Sequence, residues 1–219
     1  MNAPSSMFQD RIDAGLALAT HLQHYKNVDG VTLAVPRGGV PVAFPVAKIL
    51  QLPLEIILSK KIGHPTHKEF AIGAVSLTGQ VISPHAFASD EYIKQETINI
   101  REQLKASYAQ YMGERKPTPL KDKIVIIIDD GVATGYTLLS TIEMIRKEAP
   151  KKVVVAVPVA SKQAAQKLSE VADEFVCAWI PSRFHSVGEF YEDFTQVSDE
   201  EVIKMLNPHP PPAGGGNEE

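Results

Sequence analysis

The run Ile124-Val125-Ile126-Ile127-Ile128 limits what this chain can fold into more than any other stretch. It is β-branched throughout, of strand length, and without charge on either face. Such a run suits a central strand of a parallel sheet, covered by helices on both sides. Asp129 and Asp130 follow, then a small-residue loop through Gly131, Ala133 and Gly135, then Leu138, Ile142 and Ile145 at helical spacing. Strand, tight loop and helix start therefore fall within one βα unit.

The residue types suggest what the loop can bind. Small residues let successive backbone N–H groups converge on an anion, and a helix beginning near Thr137 adds unpaired N–H groups and the positive end of its dipole. Thr134 and Thr137 add hydroxyl donors to phosphate oxygens. The two acids cannot bind phosphate; they suit sugar hydroxyls or a hydrated divalent cation. Phosphate at one end and polyol at the other describes a sugar phosphate. Taken separately, paired acids are often a solvated turn and a Gly-Thr loop is often an N-cap; the conjunction is much rarer. No Lys precedes Thr137 and no G-x-G-x-x-G occurs, so neither a Walker loop nor a dinucleotide fingerprint is present.

The stretch resembles the phosphoribosyl pyrophosphate (PRPP) signature of type I phosphoribosyltransferases: apolar residues, two acids, two variable residues, then small-Thr-Gly-x-Thr. The resemblance implies that Ala133, Thr134, Gly135, Tyr136 and Thr137 hold the 5′-phosphate, while Asp129 and Asp130 face the ribose hydroxyls and bind Mg2+, directly or through water. Tyr136 departs from the Gly or Lys that many members carry, which leaves the backbone cradle intact and reshapes its rim. Pro36-Arg37-Gly38-Gly39 lies between an apolar strand and an apolar stretch, and repeats the anion-site geometry with a cation added. In the family a loop there binds pyrophosphate, commonly through a strained or cis peptide; Arg37-Gly38 is the expected pair. Lys60 and Lys61, expected at the end of the second strand, are assigned to pyrophosphate, and the Gly/His/Pro-rich stretch after them to a mobile loop that closes over the site. Trp179, Phe184 and Tyr191 are candidates for stacking on an acceptor base. Val35 to Val40, Lys61 to Gly63 with Glu69 to Ala74, and Val187 to Phe194 extend the resemblance to a bacterial subgroup of uncharacterised members.

The implied reaction is Mg2+-dependent transfer of 5-phosphoribosyl from PRPP to a nucleobase-like nitrogen, with Asp129, Asp130 and Arg37 as catalytic residues. No base-reading signature identifies the acceptor. Family precedent also implies a homodimer. A second reading is a non-catalytic sensor of PRPP or a nucleotide. A third, a flavodoxin-like signalling domain, expects the acid pair after a first strand and a late strand-end Lys, whereas here Pro158 is read as loop.

The rest of the chain fits an α/β fold with a mainly parallel central sheet, helices on both faces and a small cap, which resembles the three-layer type I phosphoribosyltransferase fold. Amphipathic spacing predicts a helix from Phe8 to Leu22 and another over Asp90 to Arg115. Strands are expected at Val31–Val35, Leu54–Leu58, Val153–Val157 and Phe175–Trp179, with a hairpin over Ala71–Leu77 and Val81-Ile82. Pro45 argues against a regular helix after Gly39. One domain is expected over 1–206, with a core over about 28–180, a flexible loop over about 60–85, a cap over 181–206, and a disordered Pro/Gly tail over 207–219. The formal net charge of −4 leaves no footprint for nucleic acid. No apolar run approaches the ~18 residues of a membrane span, and the single cysteine, Cys177, fits a reducing, cytoplasmic setting as a buried thiol. His64 and His67 lack a third ligand at regular spacing and are read as solvated.

Overall fold

A computed structural model describes residues 7–207. In chain order its elements are α1 (Arg11–His21), β1 (Gly30–Ala34), α2 (Gly39–Leu50), β2 (Leu54–Ile56), β3 (Ser59–Gly63), β4 (Ala71–Ser76), β5 (Gln80–Ile82), α3 (Asp90–Met112), β6 (Ile124–Ile128), α4 (Tyr136–Arg146), β7 (Lys152–Val159), α5 (Lys162–Val171), β8 (Glu174–Trp179) and α6 (Asp199–Leu206). Five strands form a parallel sheet in the order β2-β1-β6-β7-β8, with β6 at its centre as its composition requires. Leu33, Ile127 and Val155 lie side by side across three strands.

The period of two in β6 divides the core. Ile126 and Ile128 face a layer built from α1, α2 and α6, together with the end of α3. Val125 and Ile127 face the layer of α4 and α5. All four side chains are fully buried, at about 1.5–3 kcal/mol each relative to exposure. The three-layer architecture expected from the sequence is the one observed.

Helix ends follow local chemistry. Asp10 caps α1 through the Asp13 N–H at 2.8 Å, Ser161 caps α5, and Ser198 with Glu201 forms a reciprocal capping box at α6. Pro45 lies inside α2 after all. Its buried ring packs against α1 at Gly15, where an added Cβ would lie 2.6 Å from Pro45 Cγ. Tertiary packing outweighs the helix penalty there. Pro158 likewise lies within β7 rather than in a loop.

A second, antiparallel sheet of β3, β4 and β5 forms where a flexible loop was expected. The hairpin of β4 and β5 matches the sequence reading; β3 does not, because Ser-Lys-Lys-Ile-Gly carries one large apolar side chain. Pairing with β4 and burial of Ile62 beside Ile72, Val75, Ile100 and Leu104 make it a strand. Lys60 and Lys61 thus stand in the small sheet, not at the end of β2, which closes at Ile56. Helix α3 ends at Met112, short of Arg115. Asn207 is part of the fold, donating to the Tyr111 carbonyl at 2.9 Å; the remainder of the expected tail, 208–219, lies outside the described residues. Among the described residues no helix is long and apolar enough to cross a membrane.

Candidate active site at the carboxyl end of the sheet

Parallel α/β sheets bind ligands beyond the carboxyl ends of their strands, and the two predicted loops meet at that end. Val35 N–H donates to the Ile128 carbonyl at 2.8 Å, which locks the exit of β1 to the exit of β6. The chain then crosses the acids closely. A Cβ on Gly38 would lie 2.1 Å from Asp130 Oδ2, and one on Gly39 would lie 2.7 Å from the Ile128 carbonyl oxygen. A side chain at Gly39 would meet backbone, and one at Gly38 would displace the Asp130 carboxylate. The cis peptide joins Pro36 to Arg37, one bond earlier than the Arg37-Gly38 pair expected.

The loop after β6 is held from below by backbone and one hydroxyl. Val132 N–H donates to Val159 at 2.9 Å, Ser161 N–H to Val132 at 3.0 Å, and Ser161 Oγ to the Ala133 carbonyl at 2.6 Å. Gly135 then opens α4 in the left-handed region, at φ 81°. Ala133, Thr134, Tyr136 and Thr137 are exposed around it. The first turn of a helix leaves its N–H groups unpaired, so the predicted phosphate cradle is open to solvent. At its rim Lys167 Nζ lies 4.5 Å from the Tyr136 ring centroid.

The acids are less open. Asp129 Oδ1 accepts the Asp130 N–H at 2.9 Å. Burial, with the charge of Asp130 adding to it, pushes the Asp129 carboxyl well above the usual carboxylate range. Burial also raises Asp130, against the opposing hydrogen bond and charge of Arg11. That arginine was not anticipated. Its Nε donates to Asp130 Oδ2 at 2.9 Å, with the two side chains only 11% and 17% exposed. Its Nη1 donates to the Thr195 carbonyl at 2.8 Å, and its guanidinium lies 3.9 Å from the Phe194 ring centroid. The contact spans 119 residues of sequence. One local signal existed: a cation at the first position of α1, where the helix dipole disfavours it.

The predicted cations are held elsewhere. Arg37 Nη1 lies 3.5 Å from Asp199 Oδ1 at the start of α6, an acid that also accepts from Tyr111 Oη at 2.6 Å. Lys60 Nζ donates to Gln103 Oε1 at 2.6 Å, and Lys61 Nζ to Glu69 Oε2 at 3.2 Å. Both lysines belong to the small sheet and are not brought to the acids.

Of the three acceptor candidates, Trp179 and Phe184 flank Phe190, with ring centroids 4.9 and 5.4 Å from it. Both are partly exposed. Tyr191 is 4% exposed and offers no open face; its hydroxyl donates to the Asp130 carbonyl. It braces the acid loop from beneath the cap. Cys177 is a partly buried free thiol, pushed up to about 12 by burial. His64 Nε2 donates to the Phe87 carbonyl, 2.9 Å away, and no group of three or more metal-binding side chains gathers among the described residues.

Comparison with known proteins gives the family. The phosphoribosyl transferase domain matches over residues 9–194. A Mycobacterium tuberculosis protein that carries a provisional phosphoribosyl transferase name in two strains is 37% identical over 210 residues, or 92% of this chain. The match covers 46% of that relative, so the chain spans about half the length of the curated relatives it matches. The crystal structure of TT1426 from Thermus thermophilus superposes with a TM-score of 0.80 at 38% identity, covering 91% of this chain and 97% of that one. The matched span takes in Arg11, both strand-end loops and the cap through Phe194: the chain belongs to the type I phosphoribosyltransferase family.

Proposed function

We propose that the protein transfers 5-phosphoribosyl from PRPP to a nucleobase-like nitrogen and releases pyrophosphate. The observation that carries this reading is the meeting of an acid pair, an open helix start and the Pro36–Gly39 loop at one end of the sheet. In the proposed reaction a nitrogen–C1 bond forms as the C1–oxygen bond to pyrophosphate breaks, the leaving group takes the electron pair, and a carboxylate of the acid pair takes the acceptor's proton. Carboxyls raised by burial suit that last role. The backbone of Ala133 to Thr137 holds the 5′-phosphate, and Asp129 and Asp130 orient the ribose. Pyrophosphate falls to Gly38, Gly39 and Arg37, whose guanidinium turns from Asp199 to meet it. Lys60 and Lys61 have a lesser part, since Gln103 and Glu69 already engage them.

Two carboxylates without a third metal-binding side chain beside them among the described residues suit Mg2+, a cation that keeps several waters and is commonly shared with substrate phosphates. Bound there, it supplies charge neutralisation for the departing pyrophosphate. The free thiol of Cys177 suits a cytoplasmic setting.

Calorimetric titration with PRPP, with and without MgCl2, tests the reading, followed by pyrophosphate release across a panel of bases. Saturable Mg2+-dependent binding and base-dependent release are expected. Absence of binding in both conditions sinks the assignment. One observation favours a second reading, a PRPP or nucleotide sensor: Asp130 and Arg37 are each engaged by a protein partner. Binding without release for any base would put that reading first.

A further inference from the structure

Arg11 is the cationic side chain in ion-pair contact with the acid pair among the described residues. Three separate segments fix it: Asp130 after β6, the Thr195 carbonyl, and the Phe194 ring. A guanidinium so stacked and hydrogen-bonded loses little by staying in place. With both acids ionised, two adjacent carboxylates and one guanidinium leave a single net negative charge at the strand end. An isolated divalent cation arriving there would meet half the charge the acids alone would present, and would have to share Asp130 with a resident partner. A cation accompanied by phosphate oxygens brings its own ligands and needs less from the protein.

We propose that Arg11 is the standing counter-ion of Asp129 and Asp130, so that Mg2+ enters this site only with a ligand's phosphates. The ligand part rests on the function proposed above; the metal-excluding part does not. Arg11 is a positioning residue in this scheme, acting through Asp130. It also ties α1 to the cap, and a purely structural tie would move stability without moving metal affinity.

Titration of the protein with MgCl2 alone separates the two. The wild-type protein is expected to show no saturable Mg2+ binding. Arg11→Gln, which keeps a donor but removes the charge, is expected to bind Mg2+ alone at least tenfold more tightly than the wild type. Arg11→Lys, which restores the charge, is expected to exclude the metal again. Equal behaviour of wild type and Arg11→Gln overturns the proposal, as does Arg11→Lys behaving like Arg11→Gln. Saturable Mg2+ binding by the wild type overturns it whether or not the variants fold, which circular dichroism and melting report. A separate PRPP titration of the wild type with MgCl2 tests the functional reading: if that fails while Mg2+ alone is still excluded, the ligand is wrong and the counter-ion stands.

Discussion

The two sheets of this molecule carry charge in opposite ways. At the end of the parallel sheet the acids are set by backbone: Val35 is hydrogen-bonded to Ile128 and Val132 to Val159 and Ser161, and Asp130 has Arg11. In the small sheet Lys60 and Lys61 are exposed side chains on a strand, each tied to one polar partner. Groups of the first kind cannot move without unfolding the core. Groups of the second kind can change partner at the cost of one exposed hydrogen bond, which is worth little. Binding and chemistry are therefore expected to concentrate at the parallel sheet, with the small sheet modulating.

The largest contrast should come from charge removal. Asp130→Asn is expected to lower PRPP-dependent turnover by ~10²-fold or more, the scale of losing a preorganised electrostatic group, while Lys61→Ala changes it only a few-fold; steady-state pyrophosphate release measures both. Equal losses would erase the distinction. Next comes stability. Ile127→Ala should cost about 2–5 kcal/mol and lower the global melting temperature. Ile72→Ala should instead raise hydrogen exchange chiefly in β3 to β5, leaving β6 and β7 protected. A uniform loss of protection would show that the small sheet is not separable.

A smaller effect concerns Asp129. Its folded carboxyl keeps its proton to higher pH than the unfolded one, so ionisation costs stability as pH rises out of the usual carboxylate range. Asp129→Asn removes that cost and keeps an oxygen for the Asp130 N–H. It should raise the melting temperature at neutral pH, with the gain vanishing near pH about 4, while turnover is lost. A melting temperature unchanged at both pH values would remove the burial argument. Smallest is Cys177, with its thiol pushed up to about 12: a thiol reagent at pH about 8 should label it slowly in the folded protein and at once after denaturation.

The sequence read well wherever the signal was local. β6, its acids and the α4 start lie within one βα unit, and burial on both faces made the central strand plain. Gly38-Gly39 as a close approach was readable for the same reason. What escaped depended on partners distant in the chain. Arg11 reaches Asp130 across 119 residues of sequence, β3 exists through its pairing with β4, and Tyr191 reads as a stacking candidate, whereas the structure buries it. Pro45 misled because a propensity penalty was weighed without Gly15, the residue that makes room for it.

Helix α3 packs Ile100 and Leu104 into the small sheet's core and Tyr108 and Met112 into the main one. Its Tyr111 also holds the acid that pairs with Arg37. At 3.6 residues per turn, one residue inserted between Leu104 and Tyr108 would rotate one half by roughly 100° against the other. The helix therefore works as a phase lock between two cores, and its length in that interval is as constrained as any side chain in the site.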